Sequence, residues 1–336
     1  MAASLFATAQ GGPLVAPVLG IAPSIFQPDP RVATPHSQQT SAGTEYLLAK
    51  SLTLRADYLF VRGLRLPRTV NSNLLPPVVL TVANALSLGV PNPTPQQIGR
   101  EVFSPGRLNT QFSNIYVLQN SASSTYNGIS FTLNRRMSDE LAFSASYTLS
   151  KTFDDASDFD EQPQNPFNLR AENAVSRQHQ QQRFVFNALW ELPIGGEEDK
   201  GGKAEESTSW LTQAFSHIEV APILTLESGR PVNPLTGLDS NQSHAFPLSA
   251  RPLSLGRNSL NTPALATMDF RVLKYFPFGG AKRLDVVAEF FNVFNSANVS
   301  QINPEFGSRS TPIPEFRQPV AGTGARQIQF SLDFEF

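Results

Sequence analysis

Hydrophobic and polar positions alternate with a period of two along much of this chain. The clearest stretch is the last ten residues, where Ile328, Phe330, Leu332, Phe334 and Phe336 interleave with Gln327, Gln329, Ser331, Asp333 and Glu335. A strand points successive side chains to opposite faces, so this pattern predicts one apolar and one polar face. Leu141, Phe143, Ala145, Tyr147, Leu149 and Phe153 oppose Ser144, Ser146, Thr148, Ser150 and Thr152 in the same way. Phe184, Phe186, Ala188, Trp190 and Leu192 oppose Asn187 and Glu191, and Ile218, Val220, Leu224 and Leu226 oppose His217, Glu219, Thr225 and Glu227. Further runs are Ile129 to Asn134, Thr267 to Phe276, and Leu284 to Phe290, where Val287 breaks the rule. Leu52, Leu54, Ala56 and Tyr58 repeat the pattern weakly, and the run near Ser37 to Lys50 is the least distinct. About nine strands result, each near the roughly 9–11 residues that a tilted strand needs to cross a bilayer.

The connections alternate in length. Asp139 closes a tight turn and Pro277 to Lys282, with Gly279-Gly280, is short. Asp154 to Gln182, Arg230 to Ala264 and Ser296 to Ala325 are long. Pro193 to Ala214, with the charged run Glu197, Glu198, Asp199 and Lys200, is intermediate. Short turns on one side and long loops on the other are the outer-membrane pattern. A soluble β-sandwich also alternates, but its connections are usually short at both ends. The expected fold is all-β: an antiparallel up-and-down transmembrane β-barrel, partial, of about 8–10 strands with long extracellular loops. Residues 1–36 are expected to be an irregular N-terminal segment and residues 37–336 the barrel portion.

Composition narrows the alternatives. Charged residues make up 16% of the 336, against about 25% in soluble domains. The net charge is −2 and no basic cluster stands out, which argues against a nucleic-acid partner. Cysteine is absent, which excludes disulfides and thiolate metal sites. The longest apolar stretch, Val78 to Val90, is interrupted by Thr, Asn and Ser and flanked by Pro77 and Pro91, so it is no helical span. Met1 to Gly20 lacks the basic start of a signal peptide.

Candidate chemistry is sparse. His36, His179, His217 and His244 lie far apart, without metal-type spacing. No nucleophile elbow, phosphate loop or dinucleotide fingerprint occurs, so no enzyme activity and no cofactor are expected. Asp154, Asp155, Asp158, Asp160 and Glu161 are clustered hard oxygens of the kind calcium favours, but the loop glycine and terminal bidentate glutamate of an EF-hand are missing. A solvated loop root is the expectation. Glu191, Glu219, Glu227, Asp285 and Glu289 are expected to face the lumen, as channel wall by default or as residues that help hold a plug. Tyr58, Tyr126, Phe153, Trp190 and Phe276 fall near strand ends, either as interface girdles or as ordinary strand packing.

Several short motifs, in order, resemble TonB-dependent outer-membrane receptors of the Oar-like type. They are Tyr126-Asn127-Gly128-Ile129, Leu133-Asn134-Arg135-Arg136-Met137, Ser146-Tyr147-Thr148-Leu149-Ser150-Lys151 with Asp154-Asp155, and Asn165-Pro166-Phe167-Asn168-Leu169-Arg170-Ala171-Glu172. Gln182-Arg183-Phe184-Val185, Glu191-Leu192-Pro193-Ile194-Gly195, Ser228-Gly229-Arg230-Pro231 and Glu289-Phe290-Phe291-Asn292-Val293-Phe294-Asn295 continue it to the terminal strand. The resemblance runs from about Pro28 to Phe336. It implies a barrel of about 22 strands with an N-terminal plug, energised through TonB; the matched stretch corresponds to its last part and contains no plug. It also implies a C-terminal aromatic strand read by the barrel-assembly machinery, here Phe330, Leu332, Phe334 and Phe336. The expected function is ligand uptake across the outer membrane without covalent chemistry, with outer-membrane lipid as the surroundings and the TonB system reached through a plug outside this chain. A stand-alone porin-like barrel and a secreted β-sandwich binding module or adhesin are the alternatives. Leu141, Phe143, Tyr147, Phe184, Phe186, Trp190, Ile328, Phe330, Leu332 and Phe334 are expected on the convex, lipid-facing side. Ser144, Ser146, Thr148, Asn187, Gln329 and Asp333 are expected in the lumen.

Overall fold

A computed structural model describes residues 22–193, 216–278 and 282–336. Nine strands form its main path: β1 (His36–Ala49), β2 (Leu52–Asn71), β3 (Ile115–Ser138), β4 (Leu141–Asp154), β5 (Gln182–Glu191), β6 (Ile218–Glu227), β7 (Leu265–Pro277), β8 (Arg283–Phe291) and β9 (Gln327–Glu335). Each pairs antiparallel with its neighbours in sequence, which is the meander that hairpin connections dictate. Among the described residues β1 and β9 do not pair with each other, so the sheet is open. Ile25–Pro28 adds in parallel to the start of β3, and Ala174–Val175 adds to the end of β4. The expected first 36 residues thus contain a strand at 25–28, while residues 1–21 lie outside the described ones.

Antiparallel order sorts the connections by end. The links β1–β2, β3–β4, β5–β6 and β7–β8 share one end. The β3–β4 turn has Asp139 and Glu140 at φ 49° and 64°, the left-handed conformation that two-residue hairpin turns require. The run Glu197 to Lys200 and the pair Gly279-Gly280 fall outside the described residues. The long links 72–114, 155–181, 228–264 and 292–326 share the other end. Strand length departs from expectation: β2 and β3 have 20 and 24 residues, roughly double a bilayer crossing. Their upper halves run past the apolar band into the loops. The indistinct run near Ser37 to Lys50 is a 14-residue edge strand.

Register turns nine local alternations into two continuous faces, because paired residues point the same way. One row reads Tyr46, Leu54, Leu133, Ala145, Phe186, Leu224 and Met268 across seven strands. It continues as Phe270, Phe290 and Ile328. The next row reads Glu45, Arg55, Thr132, Ser146, Val185, Thr225 and Thr267 on the opposite face. Polar pairs knit that second face: Ser130 and Thr148 hydroxyls at 2.9 Å, Arg183 to Glu227 at 2.8 Å, and Arg283 to Asp285 at 3.2 Å. Val287, the exception to the alternation, lies on the polar face and is 1% exposed.

The apolar face has no second sheet over it. Phe330 and Leu332 are 74% and 70% exposed. A sandwich would bury that face, and a water-soluble surface would not present it. The buried apolar cluster sits instead in the 72–114 loop, where Leu80, Ala85, Leu88, Val90 and Val102 pack with Ile98. The interrupted apolar stretch Val78 to Val90 therefore supplies Leu80, Ala85, Leu88 and Val90 to the core of a loop subdomain, while Val78, Val79, Val82 and Leu86 stay exposed.

Candidate functional site

All four long loops meet at one end of the polar face. Arg257, from the 228–264 loop, is the most connected side chain there. Its Nη1 donates to Asp154 Oδ1 at 2.7 Å, and its Nε and Nη2 take both Glu161 oxygens at 2.7 and 2.8 Å. Nη2 also donates to Ser157 Oγ, and Nη1 to the carbonyls of Asp154 and Glu172. The side chain is 1% exposed, and a buried guanidinium needs this degree of pairing. Burial alone would raise the Glu161 carboxyl, but the hydrogen bonds and charge of Arg257 outweigh it and hold it below the usual carboxylate range.

A second buried fork joins Arg251 to Glu172 at 2.7 and 3.0 Å. Glu172 also accepts from the Gln164 amide, and the Asn241 side chain donates to the Gln164 carbonyl. Arg68 at the top of β2 meets Asp155 at 3.0 Å. Phe103 in the 72–114 loop donates to Asn241, and Gln96 donates to Arg309 of the 292–326 loop. Arg100 is buried beside Arg251; burial and then the like charge of Arg251 bring its guanidinium down to about 10.

The acidic cluster thus receives arginines. Asp154 and Glu161 meet Arg257, Asp155 meets Arg68, and Asp158 lies 3.7 Å from Arg177. Asp154 is buried and Asp155 and Glu161 are half-buried, so the expectation of a solvated loop root is corrected for these three, which the loop tops of the neighbouring strands cover; Asp158 and Asp160 are exposed. Among the described residues no group of three His, Asp or Glu side chains is placed to hold a metal ion. The histidines remain apart. His179 Nδ1 accepts from the Thr152 amide, and His217 packs 4.7 Å from the Tyr275 ring.

Beneath the loops the polar face forms a cavity of about 700 Å³. Tyr126, Thr148, Ser150, Thr152, Gln178 and Gln180 line it, together with Asp154 and Arg183. Both charges are committed elsewhere, to Arg257 and Glu227, so the lining offers hydroxyls and amides beside the apolar Val61, Leu66 and Ala156, in a charge-balanced setting. Tyr126 belongs to this lining, whereas Tyr58, Phe153, Trp190 and Phe276 share the apolar face by register. The five acids Glu191, Glu219, Glu227, Asp285 and Glu289 all register on the polar face. At the far end of β9, Phe330, Leu332 and Phe334 share the apolar face. Phe334 stacks on the 91% exposed Phe336 at 6.1 Å.

Sequence reasoning passed over Arg251 and Arg257, and named Glu172 only as part of a motif. The available signal was an acidic cluster without ligand spacing, which calls for cations from elsewhere in the chain.

A family model described as Outer membrane beta barrel domain matches residues 2–255 and 253–329. No curated protein sequence matches the chain. Among solved structures the chain is similar to the outer membrane transporter YddB of Escherichia coli, with TM-score 0.51 and 12% identity over 94% of this chain. The match covers 34% of YddB, so the chain spans about a third of that protein's length. The FrpB iron transporter of Neisseria meningitidis matches at TM-score 0.46 and 9% identity, over 92% of this chain and 32% of that one. The ferripyoverdine receptor of the Pseudomonas aeruginosa outer membrane matches at 0.45 and 11%, over 89% and 27%.

Proposed function

Because the chain belongs to the outer membrane β-barrel family, we propose that it forms the C-terminal barrel portion of a TonB-dependent receptor that takes up a ligand without covalent chemistry. The outer membrane is its location. The single observation that supports the partial-barrel reading is the open nine-strand meander with one continuous apolar face. A barrel in lipid cannot leave a strand edge bare, because each orphan backbone group costs several kcal/mol there. Further strands would then pair with β1 and β9, and a plug outside this chain would occupy the space against the polar face and reach TonB. In this reading residues 37–336 are barrel wall and loops, residues 1–36 lead into it, and the barrel-assembly machinery reads Phe330, Leu332, Phe334 and Phe336.

The charge-balanced cavity under the loops supports passage and binding over bond-breaking: its carboxylate and guanidinium are held in ion pairs. The test compares cells with and without the gene for outer-membrane passage of labelled iron chelates and oligosaccharides, each with and without a protonophore. Uptake that is lost with the gene and abolished by the protonophore is the expected result. Passage that depends on the gene but ignores the protonophore would instead establish a passive, porin-like barrel.

A further inference from the structure

Carboxylates keep to one face of the sheet, while cations stand on both, with Arg55, Arg183, Arg271 and Arg283 on the polar face. Over the regularly paired parts of the nine strands, every carboxylate registers on the polar face, as Glu45, Asp57, Glu227 and Asp285 do. The apolar face carries cations only. Arg135 and Lys274 stand at its turn end and Arg62 and Lys151 at its loop end.

The two ends differ in how these cations are satisfied. Arg135 donates to the Ser138 carbonyl and to Asp139, at 2.9 and 3.1 Å, and Lys274 donates to the Ser216 carbonyl at 2.8 Å. Arg62 and Lys151 are both exposed, and among the described residues neither side chain has a hydrogen bond or ion pair. Lys151 Nζ only lies over the Phe153 ring, 4.9 Å from its centroid. The two sit close together. Arg62 pairs with Thr125, which pairs with Phe153, and Lys151 pairs with Asn127, which pairs with Phe60. They are two strands and one side-chain step apart, about 12 Å between Cα atoms, so their long side chains can converge. Toward mid-sheet the surface beneath them is Tyr58, Ile129 and Leu149.

A cationic pair at the rim of an apolar wall, on a face without carboxylates, matches an amphiphile with acyl chains and an anionic head. We propose that Arg62 and Lys151 hold the phosphate groups of an outer-leaflet lipid headgroup, with its acyl chains lying on the wall below. This rests on the outer-membrane reading with the long loops outside. The apolar wall is the reason for assigning a lipid over a free anion.

The protein, extracted in detergent and stripped of lipid, is given equal amounts of bis-phosphorylated lipid A or its dephosphorylated form, and retained lipid is read by native mass spectrometry. Two cations acting on phosphate favour the phosphorylated form by about tenfold or more. The Arg62→Gln/Lys151→Gln double variant loses that preference, and the charge-keeping Arg62→Lys/Lys151→Arg variant retains it. Equal retention of both lipids by the unmodified protein overturns the proposal, whatever the variants do. So does an undiminished preference in a folded double variant, or displacement of the lipid by inorganic phosphate alone. No uptake is measured, so failure here leaves the transport reading standing.

Discussion

Arg257 aims its N–H groups at the end of β4 and at the 155–181 loop that follows it, and is sealed from water while doing so. Removing one member of such a buried network leaves its partners uncompensated, at a cost of about 3–5 kcal/mol. Arg257→Met is therefore expected to loosen the 155–181 and 228–264 loops, read as faster amide hydrogen exchange there, with the strands unchanged. Unaltered exchange in both loops would contradict the network's role. Acid provides the same test without a mutation. The Glu161 carboxyl is held below its usual value, so its contribution to stability is fully present above the unfolded value of 4.5. It declines as pH falls below that value and is lost once pH drops through the lower folded one. Loop exchange should rise on acidification through that window. At this scale the sequence displayed the acidic cluster but not its partners: Arg257 and Asp154 are 103 positions apart, and only the fold brings them to 2.7 Å.

Within a strand, the pleat makes one facing assignment determine all the others. In β9, Phe330 lies opposite Ala288 on the apolar face and Gln329 opposite Glu289 on the polar one. Phe330→Arg is expected to cost about 2–4 kcal/mol if it lies near mid-bilayer, whereas Gln329→Arg is mild, since Glu289 stands across from it. Denaturant titration of the refolded protein in lipid measures both, and equal losses would refute the facing. The end of the same strand carries the aromatic run through Phe334 to Phe336. Deletion of Phe334 to Phe336 should lower the amount of heat-modifiable folded barrel in the outer membrane, with precursor degraded in the periplasm. Normal folded barrel with lost uptake would assign those residues to transport instead. Alternation located the strand centres well. It understated β2 and β3, because their upper halves leave the lipid, where nothing enforces a period of two.

Among the described residues the main path is a curtain of nine strands with two edges, capped at one end by four interlocked loops. If β1 and β9 pair with further strands, they are not neighbours. The chain has no cysteine, so introduced pairs report without background. Thr44→Cys in β1, combined in turn with cysteines at Ile328, Phe330 or Leu332 in β9, is expected to form no disulfide in outer membranes. Efficient cross-linking would mean that the nine strands close on themselves as a small barrel. The order of strands, their alternating faces and the division into short turns and long loops were determined by the sequence itself. Each follows from local rules: side chains alternate along a strand, hairpins join neighbours, and lipid demands apolar residues on one face only. The open edges, the charge-balanced cavity and the arginine network under the loops were decided by tertiary structure alone. They depend on where strands end relative to one another and on which distant loops meet, and a local pattern carries no information about either.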